Sequence, residues 1–94
     1  MELRKLAANI ETTRLEFLQA DLALCFTFID LLKLELEIGN RNAAQRLIVE
    51  AEKGHADITR FVAHLADFQH RNEIEGKLNA LRAALDSARH QLFP

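Results

Sequence analysis

"DLALCFTFIDLLKLELEIGN", residues 21–40, decides the fold. Its apolar residues Leu22, Cys25, Ile29, Leu32 and Leu36 return at alternating steps of three and four. That spacing marks one face of a helix packed almost parallel to a neighbour, knobs into holes. The run ends at Gly39–Asn40, where glycine accepts the left-handed conformation that closes a helix. Towards the N-terminus the same seam continues through Leu18 and Leu15.

Beyond the Gly39–Asn40 break the pattern starts again. A second seam runs through Ala44, Ile48, Ala51, His55, Ile58, Val62 and Leu65, and a third through Ile74, Leu78, Leu81, Leu85, Ala88 and Leu92. Thr13–Glu16 has the form of a capping box before the first seam, with looser versions at Asn42–Gln45 and Asn72–Glu75. The spacing predicts helices over about 12–38, 42–67 and 72–92, with residues 1–11 a helical extension or a frayed end. The break at "DFQHRN", residues 67–72, has neither Gly nor Pro. Short connections make successive helices antiparallel neighbours, so the expectation is a single all-α domain, an up-down-up three-helix bundle.

Composition agrees with this reading. The 94 residues contain three Gly and one Pro, and the good helix formers dominate. A net charge of −2, with Lys and Arg interleaved among Glu and Asp, is not the clustered basic face of a nucleic-acid binder. The longest uncharged run in the opening stretch, Leu22–Ile29, is far short of the ~20 residues that span a bilayer. "MELRKLAANIETT" has no apolar core of signal-peptide length, and the single cysteine, Cys25, has no partner within the chain. The expected setting is cytoplasmic, with no membrane and no nucleic acid as partner.

The sequence has no phosphate-binding glycine loop, nucleotide fingerprint, zinc-protease motif or serine-nucleophile motif. Its one serine, Ser87, lies on a helix between Asp86 and Ala88. "EKGH", residues 52–55, is a Glu-x-x-His, the helical pair that ferritin-like di-metal bundles use. Counting back from the Gly39–Asn40 turn places Cys25 near His55, with Asp30 about a turn away. This defines the alternative function, a metal-binding or redox protein built on Glu52, His55 and Cys25. A di-metal site also needs inward carboxylates from the other helices, and helix 1 presents mainly Leu, Phe and Ile there. A thiolate nucleophile needs partial exposure and an orienting group, whereas a buried free cysteine is commonly a small apolar filler. The expectation is therefore no enzyme, no cofactor and no metal.

"FIDLLKLELEIGNRNAAQRLIVEAEKGHA", residues 28–56, resembles a tetratricopeptide (TPR) hairpin. The resemblance rests on Phe28 and Leu31 in the first helix, the Gly39–Asn40 turn, and Ala44, Ile48 and Ala51 in the second. Small alanines let one helix approach the large residues of its neighbour. Leu32, Glu35 and Ala56 stand where the family has a small residue, an aromatic and a proline. What the resemblance implies is a hairpin of that geometry plus one helix, since the family's peptide-binding groove needs stacked repeats.

Helix 1 is apolar beyond its seam, through Phe17, Leu24, Phe26, Phe28, Leu31 and Leu34. Two neighbouring helices are expected to cover Leu24, Leu31 and Phe28 from positions such as Phe61, Leu47, Leu81 and Leu85. The alternative is a second stripe left open for association, with Phe17, Phe26 and Phe28 as partner-binding residues. The expected function is a small non-enzymatic protein–protein interaction or self-association module. Its partner is protein: a second copy in a homodimer, or another helical protein.

Overall fold

The computed structural model describes residues 2–94, which form three helices and no strand: α1 (Glu2–Glu37), α2 (Arg41–Val62) and α3 (Phe68–Leu92). Met1 lies outside the described residues. α1 meets α2 at Cys25–Gly54 and, nearer its start, contacts the α2–α3 turn through Glu11 and Ala66. α2 and α3 are bridged at Glu52–Arg82 and again at Arg41–Leu92. The residue numbers run in opposite senses across both pairs, so the bundle goes up, down and up.

Every buried residue lies on one of the three 3–4 seams. Leu32, Ile58, Ile74, Leu81 and Leu85 are fully enclosed, and Ala44 and Ala51 lie between helices with no exposed surface. Leu15, Leu36 and His55 are the only seam positions left partly open. Burial of this kind is worth about 1.5–3 kcal/mol per large aliphatic side chain, which makes the seams the main source of stability.

The first turn follows from its glycine. Gly39 has φ +82°, and Asn40 and Gly39 donate their N–H groups to Glu35 and Leu36 carbonyls at 2.8 and 3.2 Å. This double closure satisfies carbonyls that a helix end leaves open. Asn40 then caps α2, its side-chain oxygen accepting from Ala43 N at 3.2 Å, so the cap is Asn40 rather than Asn42.

Of the two alternatives for the start of α1, residues 2–11 take the helical extension. The caps and the second turn depart from the sequence reading: Thr13, inside α1, donates its hydroxyl to the Asn9 carbonyl at 2.9 Å instead of capping. α2 stops at Val62 instead of 67, and α3 starts at Phe68 instead of 72. Asp67 causes the second shift: its carboxylate accepts from Gln69 N at 2.7 Å and His70 N at 3.1 Å, a strong N-cap. Glu11 reinforces it from α1, accepting the N–H groups of Ala66 and Asp67 at 3.0 and 3.1 Å. A continuous helix through residues 63–67 would forgo both sets of bonds.

At 36 residues α1 is about 54 Å long, close to the molecule's longest extent of 57 Å. α2 and α3 have 22 and 25 residues. Because Glu11 already sits at the α2–α3 turn, the first turns of α1 stand beyond the bundle.

Candidate functional site

α1 carries a second seam that the bundle does not cover. Leu3, Ile10, Phe17, Leu24, Leu31 and Ile38 recur every seventh residue, and all are exposed; Phe17 keeps 64% and Ile38 71% of its surface. Between them, again at steps of three and four, stand Leu6, Thr13, Ala20, Thr27 and Leu34, also exposed. At 100° per residue this stripe lies about 150° from the buried seam, on the outer side of the helix. No charged residue interrupts it. Carboxylates border it instead: Glu2, Glu16, Asp30 and Glu37 on one side, Asp21 and Glu35 with Arg14 on the other.

Near its middle the stripe opens into a mainly apolar groove of about 470 Å³, lined by Thr13, Arg14, Phe17, Leu18, Phe61 and His64. Phe61 enters from α2 because that helix unwinds one residue later, leaving its last turn beside Phe17. The Phe61 ring is half exposed, with the Arg60 guanidinium 5.3 Å from its centre and the His64 ring tilted against it at 6.2 Å.

The three phenylalanines singled out in the sequence separate. Phe17 lies on the exposed stripe, whereas Phe26 and Phe28 are partly buried and packed against the core. Phe26 and Phe28 flank the buried seam at positions where the neighbouring helices close over α1. The expectation that the bundle covers Leu24 and Leu31 is overturned, since both point outward and are about half exposed. Phe61, expected to help cover them, is itself exposed. The reason is angular: the neighbours close over one side of α1, and Leu24 and Leu31 stand on the other.

Counting back from the first turn places Cys25 at the right level of α2. Gly54, next to His55, meets Cys25 with its backbone, so closely that an added Cβ would overlap the thiol sulfur. His55 is half-buried and Asp30 exposed. Both Glu52 oxygens accept from Arg82, at 2.7 and 3.0 Å, and Arg89 stands 3.6 Å away. The Arg82 hydrogen bonds hold the Glu52 carboxyl below its usual range, with the charges of Arg82 and Arg89 adding to them against the opposing effect of burial. A guanidinium thus occupies the place a metal cation would need. Burial, with Asp21 and Asp57 adding to it, pushes the Cys25 thiol up, towards the neutral form that does not attack. Among the described residues no three His, Cys, Asp or Glu side chains stand where they could hold a metal ion together.

Two features escaped the sequence reading. One is Glu11, whose carboxyl is lowered from 4.5 to about 2 chiefly by the Ala66 and Asp67 backbone N–H groups, and further by His70 at 3.1 Å. Its signal is a carboxylate falling on the buried seam one step before Leu15. The other is the full extent of the outer stripe: the sequence reading takes in Phe17, Leu24, Leu31 and Leu34, and the same 3–4 count started at Leu3 carries it to Ile38.

Compared with protein-family models, with curated proteins and with solved structures, the chain matches none.

Proposed function

We propose that this chain is a non-enzymatic helical interaction module that binds protein, either another copy of itself or a second helical protein, through the outer face of α1. The observation that carries the reading is the uncovered apolar stripe, about 54 Å long on a helix whose opposite face already serves the core. Apolar patches larger than a few hundred Å² mark contact sites on soluble proteins. The heptad spacing suits a helix as ligand, because knobs at steps of three and four mesh with the same spacing on a partner.

Phe17 anchors the partner in this reading, while Phe26 and Phe28 support α1 from within. The α1–α2 hairpin belongs to the same proposal as a tetratricopeptide-like element, with Ala44 and Ala51 fully buried on α2. Among the described residues no helix is long and apolar enough to cross a membrane. The acidic border disfavours nucleic acid, and the proposed setting is the cytoplasm.

Fluorine NMR on protein labelled with fluorophenylalanine tests this. The Phe17 and Phe61 signals are expected to shift as protein concentration rises or as a helical partner is added, while Phe26 and Phe28 stay in place. Phe17 and Phe61 signals that stay fixed under both treatments would overturn the proposal. So would stoichiometric Fe, Mn or Zn in purified protein, lost on His55→Ala.

A further inference from the structure

We propose that the occupant of the outer α1 face is a second copy of the chain, packed antiparallel along it across a two-fold axis beside Leu18 and Gln19. This rests on reading that face as a docking surface and adds the partner, direction and register.

The stripe outlasts the bundle. The buried seam loses its apolar character towards the N-terminus, passing from Leu15 to Glu11, Ala8 and Arg4 as α2 and α3 run out. The outer stripe continues through Ile10, Leu6 and Leu3, where this chain offers nothing to pack against. Its periodicity therefore answers to something other than the chain's own core.

The stripe is self-complementary in size when reversed. In the proposed register Phe17 faces Ala20 of the second copy, Leu24 faces Thr13, and Ile10 faces Thr27, each pair occurring twice. In these three central layers large residues oppose small ones, which lets two helices approach closely with filled holes, and the end layers pair leucines, Leu6 with Leu31 and Leu3 with Leu34. Thr13 is part of the groove beside Phe17 and Phe61, so Leu24 of the second copy has a preformed seat.

Charge selects the direction and the register. Parallel pairing would bring Glu16 against Asp21 and Asp30 against Glu35, twice each, with no opposite-charge pair in return. The antiparallel register places Arg14 against Asp21, twice, and Glu16 beside Ala23; like charges meet only at its two ends, where Glu2 falls against Glu37. A slip by one heptad would lose the Arg14–Asp21 pairs and set Asp21 against itself and Glu16 against Asp30. These exposed pairs act by discrimination more than by strength.

The area is sufficient. The overlap is about 48 Å long and about 10 Å wide, so the two copies together cover about 1,000 Å², the lower end of specific interfaces. A two-fold contact of this kind closes on itself and leaves no repeating surface.

Sedimentation velocity from about 1 μM to about 1 mM, with a spin-label distance, tests the proposal. Wild-type mass is expected to rise from 10.7 kDa towards twice that value. Phe17→Glu, at an exposed site, is expected to weaken association at least about tenfold with helicity unchanged. Val49→Glu, on an exposed part of α2 away from the stripe, leaves association intact. In a Cys25→Ala background, a label at Lys5→Cys should lie about 40 Å from its counterpart, and one at Glu16→Cys less than about 20 Å. A dimer with short distances at both sites would overturn the antiparallel arrangement. A dimer indifferent to Phe17→Glu would overturn both this inference and the docking face. A monomer throughout the range also overturns the second copy. If that monomer binds a synthetic heptad helix with Lys and Arg flanks at Phe17, the docking face survives. If it binds no such helix, the docking face fails too.

Discussion

The two faces of α1 use the same residues at the same spacing and meet opposite fates. On the inner face Leu18, Leu22, Cys25, Ile29 and Leu32 are buried, and on the outer face Phe17, Leu24 and Leu31 stay open to solvent. Leu31 and Leu32 are adjacent in sequence and identical in type, yet one is about half exposed and the other has no exposed surface. Hydrophobicity and period set the requirement for a neighbour. Only the position of α2 and α3 says which face receives one from the same chain.

The largest effect that separates the faces should come from Leu32→Ala, which removes a fully enclosed side chain at a cost of about 2–5 kcal/mol. A fall of that size in the chemical-denaturation free energy checks it. Gly54→Ala should follow, because its new Cβ has to displace the Cys25 sulfur. Overpacking of that kind costs about 1–3 kcal/mol, offset by about 1 kcal/mol that Ala gains over Gly within a helix. The Cys25→Ala, Gly54→Ala double variant should regain most of the loss, measured by a double-mutant cycle. Glu52→Gln should cost about 1 kcal/mol or less, since its bond to Arg82 is partly open to water.

A smaller effect, present at neutral pH and lost in acid, belongs to the polar end of the inner seam. Glu11 stays ionised in the fold down to about 2, against 4.5 as its ordinary value. Its contribution is complete above 4.5 and is lost as the pH falls through about 2. Urea midpoints of wild type and Glu11→Gln should therefore differ most near neutrality and converge below that window. The smallest effect belongs to Leu31→Ala, expected within about 0.5 kcal/mol in dilute protein because the site is already wet. At concentrations where chains associate, the same substitution should weaken association, which would sharpen the contrast with Leu32.

Much of the fold is legible in the sequence, because the core depends on period alone. Counting threes and fours through the chain finds every buried residue, and Gly39–Asn40 announces the first turn through its chemistry. The second turn is less legible because what ends α2 and starts α3 is partly remote: Glu11 reaches it from 55 residues away. Local reading saw no Gly or Pro there and could not weigh that bond. The candidate site was legible as excess apolar surface, but Phe26 and Phe28 could not be told from Phe17 without knowing where the neighbouring helices lie.

By itself the sequence determined three amphipathic helices, their seams and an α1 with more apolar surface than one seam uses, since these follow from residue type and helical period. The tertiary structure decided three things. Gly54 meets Cys25, Arg82 takes both oxygens of Glu52, and the stripe from Leu3 to Ile38 remains uncovered. Each of these depends on which side of α1 two other helices occupy, and no local property of residues 2–37 contains that choice.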